Sequence, residues 1–444
     1  MHAGAPGSNS RPLRAKKGRA LRGLFPVPGD KSISQRALIL GAMAAGETGI
    51  TGLLESEDVL STAGALRALG ATIIRDGAGA WRVSGASWRS PAAPLDFGNS
   101  GTGSRLVMGA LAGMPITAIF TGDASLRSRP MARVLQPLTL VGASFEGQGA
   151  KALMPVTVKG ARDPKAFDTA VTVASAQVKS ALLLAALGAD GVSRVIQSAL
   201  TRDHTEKMLA AFGAKISVEP SEQGETILLV GQTGLHATQV DVPRDPSSAA
   251  FALVAALIVP GSEVQLPAIL LNPRRIGLIE TLLEMGADIE IANRRISGGE
   301  EIGDLTVRHS RLRGVVVPAA RAPSMIDEYP ILAIAAAFAH GETVMMGLEE
   351  LRVKESDRLA AIMAGLAANG VAAHESENNL TVRGMTKVPG GGTVATHMDH
   401  RIAMSFLTLG LASEQPVTVD DVTMIATSFP DYEARMRALG ADLS

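Results

Sequence analysis

Apolar positions along the chain fall into short helical runs that end in glycine. One such run is Ala65-Leu66-Arg67-Ala68-Leu69-Gly70-Ala71, and another is Leu138-Thr139-Leu140-Val141-Gly142-Ala143. The pattern returns at 208–214, 282–287, 366–371 and 436–441. The glycines stand at 70, 142, 213, 286, 370 and 440, with spacings of 72, 71, 73, 84 and 70 residues. Steps this regular mark internal repeats. Within each run Leu and Ala at i, i+3 and i+4 give one apolar helical face. The glycine supplies the left-handed residue that closes the helix. The β-prone residues beyond it, as in Thr72-Ile73-Ile74 and Lys215-Ile216-Ser217-Val218, predict the next strand.

A second helix precedes each of these. It opens on polar residues and continues almost entirely in Ala, Leu, Val and Ile. The six openings are Ser34-Gln35-Arg36, Gly103-Ser104-Arg105, Gln177-Val178-Lys179, Pro246-Ser247-Ser248, Asp327-Glu328-Tyr329 and Asp399-His400-Arg401. A helix apolar on every side must be buried on every side. The sequence therefore predicts an α/β fold with helices inside and sheets outside, as six units divided three and three. The stretch 239–246, with two prolines and alternating charges, is the expected crossing between halves.

Composition narrows the function classes. At 444 residues two domains are the default. Forty-two basic residues against forty-three acidic ones give no global field for nucleic acid or a membrane surface. No cysteine is present, so thiolate nucleophiles, thiolate metal ligands and disulfides are excluded, and a cytoplasmic location is expected. Apolar stretches such as 331–339 are far too short to span a membrane. The first 24 residues carry six Arg or Lys and no acid, and are read as a frayed basic tail.

Chemistry-bearing residues collect at the starts of the apolar helices, where free backbone N–H groups attract anions. In Pro28-Gly29-Asp30-Lys31-Ser32-Ile33-Ser34-Gln35-Arg36, Lys31 and Arg36 can converge on an anion with Ser32 donating; solvated surface charge is the plainer alternative. Asp30 precedes the lysine and no glycine-rich run leads to it, so this is not a nucleotide P-loop. In Gly98-Asn99-Ser100-Gly101-Thr102-Gly103-Ser104-Arg105 the glycines allow close backbone approach to a ligand, although a tight turn with an outward arginine has the same sequence. Ser175-Ala176-Gln177 opens another apolar helix, and a histidine in Thr201-Arg202-Asp203-His204 reads most simply as a cap or packing residue. The second half holds Asp327-Glu328, Lys354-Glu355-Ser356-Asp357-Arg358 and Asp399-His400-Arg401. If 354–358 is helical, Lys354 and Arg358 share a face with Glu355 beside them, either as a site or as an exposed salt-bridged helix. Carboxylates among cations stay charged and can act as bases, while a lysine among cations is a better acid. No His-x-x-x-His pair, Gly-x-Ser-x-Gly elbow or dinucleotide fingerprint occurs, which argues against a metal site, a serine hydrolase and a dinucleotide enzyme.

These segments, with Leu95-Asp96-Phe97-Gly98-Asn99, Arg321 to Pro330 and Leu351 to Arg358, resemble the 5-enolpyruvylshikimate-3-phosphate synthase family, in particular its glyphosate-tolerant bacterial class, over residues 22–444. The resemblance implies an inside-out α/β barrel fold. It places a tail and crossing strand at 1–26, packing with the second domain, three-repeat domains at 27–242 and 243–444, and the active site in the cleft between them. It also implies a monomer that uses no cofactor or metal, with shikimate 3-phosphate and phosphoenolpyruvate as substrates.

By the same resemblance, Lys31, Ser32, Arg36, Ser175, Ala176, Gln177, Arg202, Asp327 and Lys354 bind shikimate 3-phosphate. Lys31, Gly101, Arg129, Gln177, Arg358 and Arg401 bind phosphoenolpyruvate. Asp327, Glu355, Lys31 and Lys354 carry the proton transfers. Two departures stand out. The related transferase acting on UDP-N-acetylglucosamine commonly uses a cysteine, which this chain lacks, and the lysine of an Asp-Pro-Lys segment in the other synthase class has no counterpart in 420–424. Tolerant members carry alanine where this chain has Gly101, so greater glyphosate sensitivity is expected here.

Overall fold

The computed structural model describes residues 10–444 except Ala86 and Gln223. The basic tail expected at the N-terminus therefore lies partly outside the described residues. The apolar helices are Lys31–Met43, Gly101–Ala112, Ala176–Ala186, Pro246–Ile258, Tyr329–Ala337 and His400–Gly410. Every residue of the last three is buried. Strands such as Val192–Gln197 and Thr117–Thr121 bury alternate residues, so these keep one face inward and one toward water. This is the inside-out arrangement expected from the all-round apolar helices.

The described residues form six four-stranded sheets, one per repeat. In the second repeat Leu95–Asp96 runs parallel to Thr117–Thr121, which pairs antiparallel with Leu153–Lys159, itself paired with Ser144–Gln148. The inner helix lies between the first two strands, and an outer helix precedes the closing hairpin. All six repeat glycines at the outer-helix ends have positive φ, from 73° at Gly370 to 117° at Gly70. The left-handed turn there lets the chain reverse directly into the next strand.

The two halves are not cut at a single point. One compact unit comprises Gly29–Pro243 together with Ile296–Glu300; the other comprises the chain through Pro28, Arg244–Arg295 and Glu301–Ser444. We call these the N-terminal and C-terminal units. Strand Arg22–Leu24 precedes the first inner helix but lies parallel to Glu263–Leu270 in the fourth sheet. Reciprocally, Gln239–Asp241 precedes the fourth inner helix but lies parallel to Glu47–Thr51 in the first sheet. The sixth sheet is completed from the other end of the chain: Leu13–Lys16 sits antiparallel between Val417–Val419 and Asp442–Leu443.

Small residues let the inner helices touch backbone to backbone. A Cβ at Gly109 would lie 2.4 Å from the Ala181 carbonyl oxygen on the neighbouring inner helix. No helix among the described residues is long and apolar enough to cross a membrane.

Candidate active site

In both units several of the charged residues sit where inner helices begin, and short polar caps hold those starts. Asp30, Ser100 and Ser175 accept hydrogen bonds from the N–H groups of Ile33, Gly103 and Val178 in the N-terminal unit. Asp245 and Asp399 do the same for Ser247 and Arg401 in the C-terminal unit. Short polar caps satisfy some of the free donors at each helix start and leave others open.

In the N-terminal unit, Lys31 Nζ donates to Asp58 Oδ2 at 3.0 Å, and Gln35 Nε2 donates to Ser100 Oγ at 2.9 Å. Arg36 is buried and joins three elements: Nε donates to Thr205 Oγ1 at 2.7 Å, Nη1 to the Ser32 carbonyl at 3.0 Å and Nη2 to Ser180 Oγ at 2.9 Å. It therefore also fixes the geometry of its neighbours, beyond anything it offers a ligand. Ser32 is half-buried at the first turn of the helix, beside Lys31. Arg105 Nη1 donates to Gln177 Oε1 at 3.0 Å, and Gln177 Nε2 to Thr102 Oγ1 at 2.9 Å. Arg129 Nη2 donates to Asn99 Oδ1 and Ser125 Oγ at 2.6 and 2.9 Å. A methyl at Gly101 would lie 3.0 Å from one terminal nitrogen each of Arg105 and Arg129, so this glycine faces both guanidinium groups. Gly101 and Gln177 thus meet at inner-helix starts, with Arg129, which closes helix Ala124–Ser128, beside Gly101; Lys31 joins them through Asp58, whose carbonyl accepts from Gln35 Nε2 at 3.1 Å. Arg202 lies on the loop before helix His204–Ala211, and Ser175 and Ala176 open the third inner helix.

In the C-terminal unit a single guanidinium organises three carboxylates. Arg358 is fully buried. Its Nε donates to Asp399 Oδ2 at 2.8 Å, its Nη1 to Asp327 Oδ1 at 3.1 Å, and its Nη2 to Glu355. Burial alone would lower its pKa, but the surrounding carboxylates raise it, so it stays charged. Ser356 Oγ also donates to Asp399. Arg401 Nη1 lies 3.4 Å from the Asp327 carbonyl and 3.5 Å from Glu328 Oε1. Lys354 stands in the same field. Burial pulls its pKa below the ordinary lysine value; Asp327 opposes that shift and Arg358 adds to it.

One local expectation is overturned. Lys354 and Arg358 do not share a helix face. Glu349–Val353 forms a 3-10 turn that ends at Lys354, and the outer helix begins only at Arg358, with Asp357 as its cap accepting from Ala360 N–H at 3.1 Å. A short polar residue with a free side chain favours the cap over continuing the helix. The residues still meet, but through tertiary structure. Sequence reading did not pair Lys31 with Asp58, nor Arg36 with Ser180 and Thr205; partners 27, 144 and 169 positions away leave no spacing signal.

The match to the family described as EPSP synthase (3-phosphoshikimate 1-carboxyvinyltransferase) covers residues 15–436. The chain belongs to the EPSP synthase family. A curated 3-phosphoshikimate 1-carboxyvinyltransferase of Afipia carboxidovorans is 60% identical over 439 residues, covering 98% of this chain and 99% of that one. Its counterpart in Methylorubrum extorquens is 58% identical over 441 residues, with 98% and 97% covered. A solved EPSP synthase of Acinetobacter baumannii superposes with a TM-score of 0.86 at 42% identity, covering 98% of this chain and 99% of that one.

Proposed function

We propose that the chain transfers the enolpyruvyl group of phosphoenolpyruvate to the 5-hydroxyl of shikimate 3-phosphate and releases phosphate, a step in aromatic amino-acid biosynthesis. The observation that carries the chemistry is the knot of Arg358 with Asp327, Glu355 and Asp399 beside a lysine of lowered pKa. It offers charged bases and a proton donor in one place, which addition followed by elimination needs.

In this reading Lys31, Ser32, Arg36, Ser175, Ala176, Gln177 and Arg202 hold shikimate 3-phosphate. Gly101, Arg129, Arg358 and Arg401 bound the phosphoenolpyruvate pocket. Protonation of the enol carbon makes its neighbour electrophilic. Asp327 takes the proton of the attacking hydroxyl, and a tetrahedral ketal phosphate forms. Loss of phosphate and of a methyl proton restores the double bond. The arginines offset the charge on the departing phosphate, and exclusion of water protects the intermediate. Lys31, Lys354 and Glu355 are the groups placed to move the protons on the methyl carbon and the leaving phosphate. The reading places this chemistry in the cytoplasm and in a monomer, the second of which sedimentation at a mass of 45.9 kDa would test.

The deciding experiment is phosphate release measured with both substrates present and with each omitted. Turnover should require both. Asp327→Ala should lose about 10²- to 10⁴-fold in kcat, the range for removing a general base, while shikimate 3-phosphate binding stays measurable. Phosphate release from phosphoenolpyruvate alone, or unchanged turnover in the variant, overturns the assignment.

A further inference from the structure

Outside the two clusters, one of the buried charged networks with no part in the chemistry above centres on Glu300. Glu300 is 3% exposed although it sits at the end of a hairpin tip, Ile296–Glu300, that folds with the N-terminal unit. His204 Nδ1 lies 2.8 Å from Glu300 Oε1, and Lys207 Nζ lies 2.7 Å from Oε2. Lys207 Nζ is also 3.6 Å from Asp203 Oδ2. Burial by itself would raise the Glu300 pKa; the bonds from His204 and Lys207 outweigh it and hold the carboxylate below its ordinary range. The tip has a second anchor, since Ser297 Oγ donates to Asp241 Oδ2 at 2.6 Å.

Asp203, His204 and Glu300 have ligand atoms close enough to suggest a metal site. The Lys207 ammonium already supplies the cation to this group. The arrangement is therefore better explained by what it holds still. His204 is the first residue of helix His204–Ala211, and Lys207 lies one turn further on. Two bonds to one buried carboxylate fix the start of that helix, where a negative charge is also favoured by the helix dipole. The other end of the preceding loop is fixed separately: Thr201 N–H and Oγ1 donate to Gln197 Oε1 at 3.4 and 3.1 Å, and Lys179 Nζ donates to the Thr201 carbonyl at 3.4 Å. Between these two anchors lies Arg202.

We infer that Glu300 is a positioning residue for shikimate 3-phosphate binding: the hairpin tip clamps the start of helix His204–Ala211 and so sets the loop that presents Arg202. This rests on the reading of Arg202 as a ligand of the shikimate ring. A side chain that sets only binding geometry should move the Michaelis constant of one substrate and leave the other alone.

The test is steady-state kinetics of the full chain with both substrates varied. Glu300→Ala should raise KM for shikimate 3-phosphate about tenfold, equivalent to roughly 1.4 kcal/mol of binding. Its kcat and its KM for phosphoenolpyruvate should change less than about twofold, a shift below roughly 0.4 kcal/mol. Glu300→Gln keeps the shape but loses the charge and one of the two acceptors that His204 and Lys207 use, so it should raise that KM by a smaller factor, about threefold, and it carries the test if the alanine variant does not fold. An unchanged KM for shikimate 3-phosphate in both variants overturns the inference, as does a parallel shift of kcat and both Michaelis constants. Arg202→Ala is the separate arm: if it leaves that KM unchanged, the ligand role of Arg202 fails, whereas a large effect there with none at Glu300 sinks only the clamp.

Discussion

At the scale of single residues, the site depends on where charges are forced to remain. In the proposed reaction Lys354 is a proton donor, and burial and Arg358 make its ammonium a stronger acid. The sign of the pH effect follows. A step that needs the protonated lysine proceeds below its pKa and is lost as pH rises through it, and that pKa lies below the ordinary 10.5. The alkaline limb of kcat/KM should therefore fall earlier than an ordinary lysine would allow. In Lys354→Arg, kcat should drop and that limb should disappear from the accessible range; an unmoved limb would assign it to another group. Gly101 gives a second test. Its missing methyl leaves 3.0 Å to Arg105 Nη1 and Arg129 Nη1, both ends of flexible side chains, so Gly101→Ala should fold with little loss of stability. A methyl in a tight pocket changes discrimination by about 10- to 200-fold. We expect the glyphosate inhibition constant to rise within that range, and by more than KM for phosphoenolpyruvate does. Equal rises would mean that the methyl does not tell the two ligands apart.

At the scale of elements, small residues let inner helices within a unit pack closely, as Gly109 does against Ala181. Gly109 tests how much depends on that closeness. Alanine there would gain about 1 kcal/mol in helix propensity. The added Cβ would stand 2.4 Å from a backbone oxygen and 2.5 Å from Ala181 Cα, neither of which can rotate away. Overpacking of a tight core costs about 1–3 kcal/mol, and a clash with backbone belongs at the upper end. Gly109→Ala should therefore be net destabilising by about 1–2 kcal/mol in denaturant unfolding; a stabilised variant would show that the two helices can separate freely. The outer helices show the limit of reading elements from pattern. Their glycine ends were legible because each needs a left-handed residue. The start at Arg358 was not, because the choice between continuing a helix back to Lys354 and capping at Asp357 depends on what surrounds both residues.

At the scale of the whole molecule, the two ends of the chain complete one sheet. Leu13–Lys16 is an interior strand between Val417–Val419 and Asp442–Leu443, and Arg14 N–H donates to the Ser444 carbonyl at 2.8 Å. The Arg14 side chain is exposed. Arg14→Pro should then cost about 1–3 kcal/mol by removing a ladder donor from an interior strand, while Arg14→Ala should stay within about 0.5 kcal/mol. Thermal unfolding of the two variants separates backbone from side chain, and equal melting temperatures would show the strand to be dispensable. The sequence by itself determined the repeat, the buried inner helices, the glycine helix ends and the family, since each is written in local periodicity or in contiguous motifs. Tertiary structure alone decided that Gln239–Asp241 pairs back with Glu47–Thr51, that Arg36 is held by Ser180 and Thr205, that Arg358 gathers three carboxylates, and that Glu300 reaches His204. Those pairings join residues far apart in the chain. Their energy comes from sharing a buried, poorly solvated place, and periodicity carries no record of which distant residues will share it.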